Sequence, residues 1–289
     1  MFAAAIACCF LPGLISAARG GEPPRFNEKP ATISPAQQDP KGFLVHTVQS
    51  EYESGETKIK VLLPSSFEKA KRYRVLYLLP VEPRDDANFG DGMLEAKRAG
   101  LADKYGLICV LPTFSHWPWY ADHPTKPEIR QESYFLKVVV PFVDRTYPTR
   151  ADRDGRWLVG FSKSGWGAFS LLLRHGDLFG KAAAWDAPLM MDRAEKYGSP
   201  DIFGTQENFQ FYRISALLHE QAAKLSGPTI RLIHFGYFAF RDDHEAAERR
   251  MQELGIHRLY RDGPRRAHTW SSGWLPEAVE MLVQSSGDP

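Results

Sequence analysis

The 289-residue sequence is poor in cysteine. It has three, at positions 8, 9 and 109, too few and too unevenly spaced for a disulfide framework or a cysteine-based metal site. It also lacks any excess of charge, with 36 Lys and Arg against 35 Asp and Glu and a formal net charge of +1. No basic stripe breaks that balance, so the electrostatic footprint of a nucleic-acid binder is missing. Long apolar runs are absent too. The most extended one, Phe2 to Ala18, falls short of the ~20 residues that a stable membrane span requires. There is no internal repeat, no low-complexity tract, and Gly165-Trp166-Gly167 lacks the third glycine of a dinucleotide fingerprint. What is present is ordinary globular composition, 43% hydrophobic and 25% charged, in a chain long enough to bury a full core as one domain.

The apolar run closes on small residues, with Ser16 and Ala18 at the −3 and −1 positions of a cleavage site before Arg19. Residues 1–18 therefore read as a secretory signal, and an exported protein, periplasmic or secreted, is the expectation. Cleavage would leave Cys109 alone, with no internal disulfide. Residues 19–42 carry Pro23, Pro24, Pro30, Pro35 and Pro40 with Gly20, Gly21 and Gly42, a density that predicts a tether without helix or central strand. One α/β domain is expected over 43–289.

Within it, β-branched and aromatic runs predict eight strands, at 43–52, 56–63, 73–79, 107–111, 156–161, 181–186, 229–235 and 257–262. The turn-like Glu53-Ser54-Gly55-Glu56 joins the first two as an antiparallel hairpin at the sheet edge. Apolar spacings of three and four predict helices near 91–104, 132–147, 165–175, 213–226, 242–254 and 274–285. From residue 73 the two alternate, which implies an eight-stranded, mostly parallel sheet with helices on both faces. Ligands of such sheets bind at the carboxyl ends of the strands, so the loops there are where chemistry is sought.

One such loop stands out. Arg156-Trp157-Leu158-Val159-Gly160-Phe161 runs into Ser162-Lys163-Ser164-Gly165-Trp166-Gly167-Ala168 and then into the apolar helix beginning at Phe169. A serine on a tight strand-to-helix turn holds its hydroxyl beside a helix N-terminus, where free N–H groups favour a developing negative charge, as acyl transfer requires. The usual pattern is G-x-S-x-G. Here Ser164 occupies the last glycine position, small enough to fit but at an expected conformational cost.

With these motifs in view, the chain resembles the esterase D / Putative esterase family of α/β-hydrolases, which includes feruloyl esterases and mycolyltransferases. The landmarks are G-F-S-K-S-G-W-G-A (160–168), H-G-D-L-F-G-K-A-A-A-W (175–185), W-P-W-Y-A-D-H (117–123) and G-P-R-R-A-H-T-W (263–270), within a match over roughly 55–285. The resemblance implies a serine hydrolase or acyltransferase acting on small or sugar-linked esters, with no metal or organic cofactor. Triad order in this fold is serine, acid, histidine. His268, in a loop after the last strand and matching the family's G-H-x-W landmark, is the base, while His244 and His257 fall to a helix start and a strand.

The acid is less determined. The family's aspartate, about three residues after the glycine ending the seventh strand, is missing, because Gly236 is followed by Tyr237-Phe238-Ala239. Asp186, at the carboxyl end of Lys181-Ala182-Ala183-Ala184-Trp185, is one candidate. Asp243 and Asp242, either of them also a natural helix N-cap, are the others. The oxyanion hole is expected from the backbone N–H of Lys163 and one in the loop after Leu79. That loop reads H-G-G in relatives and Pro80-Val81-Glu82-Pro83 here. Prolines have no N–H, so Val81 or Glu82 must donate, from a stiffer loop.

Trp117, Trp119, Tyr120 and Asp122 follow the strand ending at Pro112 and are expected over Ser162, with Trp119, Tyr120 and Trp166 binding substrate and Trp185, Trp270 and Trp274 closing the cleft. Aromatic walls suit a sugar-linked or aryl ester. Glu132 also reads as a structural hydrogen-bond acceptor at a helix start, and His116, Asp122 and His123 lack metal-ligand spacing. The expected function is hydrolysis of a small-molecule or carbohydrate ester through an acyl-serine. The alternatives are an acyltransferase with the same residues, or a catalytically silent carbohydrate-binding protein that kept the fold.

Overall fold

A computed structural model describes residues 29–286. The signal expected at 1–18, and the tether before residue 29, lie outside the described residues. The strands are β1 (Thr32–Ile33), β2 (Gln37–Gln38), β3 (Leu44–Gln49), β4 (Thr57–Leu62), β5 (Arg74–Leu78), β6 (Leu107–Pro112), β7 (Arg156–Phe161), β8 (Lys181–Trp185), β9 (Leu232–Tyr237) and β10 (Arg258–Arg265). The α-helices are α1 (Gly92–Arg98), α2 (Leu101–Tyr105), α3 (Gln131–Tyr134), α4 (Val140–Thr146), α5 (Ser162–Arg174), α6 (Ser199–Phe203), α7 (Gln206–Gln210), α8 (Ile214–Leu225), α9 (Arg241–Glu253) and α10 (Trp274–Gln284).

All strands join one sheet in the order β1-β3-β4-β6-β5-β7-β8-β9-β10, with β2 also on β3. From β6 through β10 every neighbouring pair is parallel, and β3–β4 and β4–β6 are antiparallel. The eight expected strands are all present. Two more bring the count to ten among the described residues and correct the tether: β1 pairs Thr32 with Gln49, and β2 pairs Gln37 with Val45. They flank Pro35, whose missing N–H an edge position tolerates. The β3–β4 hairpin forms as expected, but β3 is not the edge, because β1 and β2 cover it.

Strand residues alternate between two cores. Val75, Tyr77, Ile108, Val110, Leu158, Ala182, Ala184 and Leu232 face one side, where Phe169, Leu172, Leu218 and Ala247 of α5, α8 and α9 pack. Leu76, Leu78, Cys109, Val159, Ala183, Ile233 and Phe235 face the other, against Met93, Ala96, Leu101, Leu275 and Ala278 of α1, α2 and α10. Helices therefore cover both faces, and this period-two division holds the strand ends rigid. Cys109 is a fully buried free thiol, its ionisation pushed up to about 12 by burial.

Several helices differ from the sequence reading in their continuity. The 91–104 segment breaks at Gly100, which has φ +62°, and the 132–147 segment passes through a π-helical turn at Phe135–Val139 just before Pro141. Pro141 has no N–H to continue an α-helical ladder, and the wider turn absorbs that loss. The short helices α6 and α7 were not expected; at five residues each, they are too brief to show periodicity.

Candidate active site

The parallel strands end on one side of the molecule, and three of the sequence candidates meet there. β7 delivers Ser162 at the first residue of α5, with φ +52°, a left-handed backbone conformation that a non-glycine residue adopts only at a cost of ~1–3 kcal/mol. The surrounding turn enforces it. A Cβ on Gly160 would lie 2.5 Å from the Ser164 backbone, and one on Gly167 would lie 2.1 Å from the Tyr120 ring. The expected strain at Ser164 is not found. Its φ is not among the positive values, and its Oγ donates to Phe161 O at 2.9 Å while accepting from Phe161 N–H at 3.1 Å. The hydroxyl thus closes the turn from inside the helix, a task glycine cannot perform.

Asp186 follows β8, fully buried and at φ +39°. Oδ1 accepts three successive backbone N–H groups, from Phe238 (2.7 Å), Ala239 (2.8 Å) and Phe240 (2.9 Å). Oδ2 accepts from His268 Nδ1 at 2.5 Å. Burial alone would raise this carboxyl; the bonds from His268 and the three amides outweigh it and hold it below the ordinary aspartate value. An ionised carboxylate only accepts, so His268 carries a proton on Nδ1, which in the neutral ring leaves the lone pair on Nε2. The segment after Gly236, where the family's acid is missing, supplies the cradle for an acid on the neighbouring strand. Asp242 is exposed, and Asp243 Oδ1 caps Met190 N–H at 2.9 Å. Neither bonds His268.

His268 packs edge-on against Phe161, the residue before Ser162, with ring centroids 5.0 Å apart. Phe89 (5.5 Å) and Phe240 (6.1 Å) complete its surroundings. These aromatics were not recognised in the sequence, although the aromatic density of Tyr237-Phe238-Ala239-Phe240 after a strand was visible there.

Beside Ser162, the amide of Lys163 lies in the first turn of α5, where N–H groups have no partner in the helical ladder. The loop after β5 carries the buried Val81 and is fastened at several points. Tyr120 OH donates to Pro80 O at 2.6 Å. Glu82 accepts from Asn88 N–H (3.1 Å), Asn88 Nδ2 (2.6 Å) and Phe89 N–H (2.9 Å). The stiffness expected of the proline loop is thus reinforced by side chains. Lys163 Nζ rests over the Trp117 ring at 4.6 Å from its centroid. Burial lowers its basicity, and the charge of Glu82 opposes that shift.

The expected substrate wall needs correction. Trp119, Tyr120 and Trp166 are fully buried, as are Trp185 and Trp274, so none of these walls an open cleft; Trp270, 2% exposed, only borders a surface pocket that Val81 and Glu82 also line. Trp119 and Trp166 meet edge-on at 5.5 Å, and Tyr120 fills the space over Gly167. They support the site from beneath, because an aromatic side chain in a loop buries wherever a core face is within reach. The exposed aromatics in contact with residues of the site are instead Trp117 (40%), Tyr197 (52%) and Phe238 (50%). Each touches the site through one neighbour: Trp117 through Lys163, Tyr197 through Phe240, and Phe238 through its amide to Asp186.

Farther out, Glu132 is a structural acceptor as expected, bonded by Arg174 (2.9 Å), His175 (2.5 Å) and Tyr212 (3.2 Å). Asp122 is taken up by Ser133, and His123 Nδ1 caps Thr125 and Lys126 N–H. Among the described residues, no group of three or more His, Cys, Asp or Glu is arranged to hold a metal ion, and no helix is long and apolar enough to cross a membrane.

This geometry can be compared with known proteins. Residues 50–235 match the model of the family described as Putative esterase. Esterase Rv1288 of Mycobacterium tuberculosis (strain ATCC 25618 / H37Rv) is 28% identical over 139 residues, 47% of this chain. The chain spans only 30% of that relative's length, and the same is true of Esterase MT1326 from strain CDC 1551 / Oshkosh. Among solved structures, a ferulic acid esterase superposes with a TM-score of 0.64 at 20% identity, over 90% of this chain and 100% of the other. An S-formylglutathione hydrolase from Agrobacterium tumefaciens gives 0.67 at 14% identity, over 88% and 99%. Mycobacterium tuberculosis MPT51 (FbpC1) gives 0.59 at 15%, over 88% and 98%. The fold is that of the α/β-hydrolases, and the chain belongs to the Putative esterase family.

Proposed function

We propose that the protein is a serine esterase that cleaves carboxylic esters through an acyl-Ser162 intermediate. His268 Nε2 takes the proton of Ser162 Oγ as the oxygen attacks the ester carbonyl. The leaving alkoxide then takes that proton from the imidazolium. Water attacks the acyl-enzyme with His268 again as base, restoring the serine and releasing the acid. Asp186 holds the imidazole in the Nδ1–H tautomer and stabilises its cationic form. The N–H groups of Lys163 and Val81 are the proposed donors to the oxyanion, a role in which one well-aimed donor is worth roughly 2.7–4 kcal/mol. Trp117, Tyr197 and Phe238, exposed near the site, favour an aryl or sugar-linked ester, since their faces offer flat apolar area beside polar groups.

The observation that carries this reading is the His268–Asp186 hydrogen bond, formed on a carboxylate already held by three amides and set beside a serine at positive φ. The test is labelling by a fluorophosphonate probe and turnover of short nitrophenyl esters, with Ser162→Ala alongside. Labelling and turnover by the wild type, both abolished in Ser162→Ala, are expected; a folded wild type that does neither overturns the reading. Product analysis with an added sugar alcohol separates hydrolysis from acyl transfer.

A further inference from the structure

Behind the Asp186 turn lies a buried chain of side chains that the reaction above does not use. Ala187, the residue after Asp186, donates its backbone N–H to His244 Nε2 at 3.0 Å. His244 and His234 meet through their Nδ1 atoms at 3.2 Å, their rings stacked at 20°. His234 Nε2 lies 3.5 Å from Glu248 Oε2, a long contact rather than a formed hydrogen bond, and Arg258 Nε holds that same oxygen at 3.0 Å. Both histidines are buried.

The proton positions follow from this order. An N–H needs a lone pair, so His244 Nε2 is unprotonated and its single proton sits on Nδ1. That proton points at His234 Nδ1, which accepts it, leaving the His234 proton on Nε2 facing the Glu248 carboxylate. Each ring therefore has one tautomer, fixed from the Ala187 end by its N–H, with the His234 proton left facing Glu248. Burial pushes both imidazoles below their ordinary basicity, His244 well below, which keeps the pair neutral. Glu248 is held down to about 2, chiefly by its contact with His234 and then by Arg258.

We propose that His244, which accepts the Ala187 N–H and is itself held by His234, is a positioning residue that holds the Asp186–Ala187 turn so that Asp186 meets His268. The turn needs such a hold because Asp186 sits at positive φ, and each of its backbone contacts must fall in register. Its N–H reaches Gly236 O at 3.0 Å and its C=O accepts from Ser162 N–H at 3.0 Å, so only the next amide remains to fix the direction in which the chain leaves. This proposal rests on the triad reading of Ser162, His268 and Asp186.

The matched variants are His244→Gln and His244→Asn. Glutamine brings an amide oxygen to where Nε2 stands, while asparagine, one methylene shorter, reaches only to Nδ1 and leaves Ala187 N–H without an acceptor. Turnover of nitrophenyl butyrate is expected to stay within about fivefold of wild type in His244→Gln and to fall about 10- to 100-fold in His244→Asn, carried by kcat with KM little changed, as for a sub-ångström misplacement of a catalytic group. The far-downfield proton resonance of the His268–Asp186 bond should persist in the glutamine variant and shift or vanish in the asparagine one. Equal kcat and an unchanged resonance in the two folded variants overturn the proposal. If the asparagine variant does not fold, a folded His244→Gln whose kcat falls more than about 30-fold does so instead. Fluorophosphonate labelling of the wild type keeps the two failures apart: no labelling defeats the triad reading, whereas labelling with indistinguishable variants defeats only this one.

Discussion

The backbone N–H of Ser162 donates to the carbonyl oxygen of Asp186 at 3.0 Å, so the two residues are joined through main chain as well as through His268. Strands β7 and β8 are paired up to Phe161 and Trp185, and this bond extends their ladder by one residue after both chains have turned away. Ser162 and Asp186 are thus fixed relative to each other by the sheet, and in the proposed triad His268 is the one member brought by a distant loop.

Asp186→Asn should lower kcat by about 10⁴-fold, because the amide favours the wrong imidazole tautomer. Asp242→Asn and Asp243→Asn should stay within a few-fold of wild type. The sign of the pH effect follows from the depressed carboxyl: its contribution to stability is complete above the unfolded value of 3.8 and is lost as pH falls through the lower folded value. Thermal melts from neutral to strongly acidic pH should therefore show the gap between wild type and Asp186→Asn narrowing on the acid side.

Tyr120→Phe removes the hydroxyl that anchors Pro80 O and keeps the ring over Gly167. A loss of about 1–3 kcal/mol is expected from the unpaired carbonyl, together with a kcat reduced about tenfold as the Val81 amide loses its aim. Denaturant melts and steady-state kinetics on the same preparation check both; full activity at reduced stability would separate the anchor from the oxyanion loop.

Glu53 gives a pH effect of opposite sign. Burial raises its carboxyl to about 8, despite the Ser115 N–H bonded to Oε2 at 2.7 Å, and Oε1 has no partner. Its stabilising effect is present below the unfolded value of 4.5 and declines as pH rises toward 8, at about 1.4 kcal/mol per unit. Glu53→Gln keeps an acceptor for Ser115 without the ionisation. Its melting temperature relative to wild type should climb steadily from pH 5 to pH 8, and a constant difference would contradict the assignment.

Trp117→Ala should raise KM for aryl esters by about 3- to 10-fold and change KM for acetyl esters of small alcohols much less, since the ring offers one aromatic contact worth about 1 kcal/mol. Parallel kinetics with nitrophenyl and methyl esters report it. Equal effects on both series would place the ring outside the substrate path.

The serine turn was legible because its chemistry is local: a strand, small residues and an apolar helix lie consecutively in the sequence. Asp186 was visible as one of three candidates, for strand order alone puts it near the right end of the sheet. What sets it apart in the structure was invisible, since the three amides of Phe238, Ala239 and Phe240 converge on it through backbone direction, which side-chain identity does not encode. Trp119, Tyr120 and Trp166 misled for a related reason. A loop has no periodicity to separate inward from outward rings, so residue type alone pointed all of them at the cleft. The strands β1 and β2 escaped because two residues beside a proline show no alternation.

Those two short strands also act as a guard. Without residues 32–38, β3 would present its outer backbone N–H and C=O groups to solvent as an open template, and unpaired strand edges recruit copies of themselves. A chain trimmed to begin at Phe43 would keep every residue of the proposed reaction and yet gain a surface suited to self-association. The protection of this sheet edge is written in a stretch whose composition looks like a mere spacer.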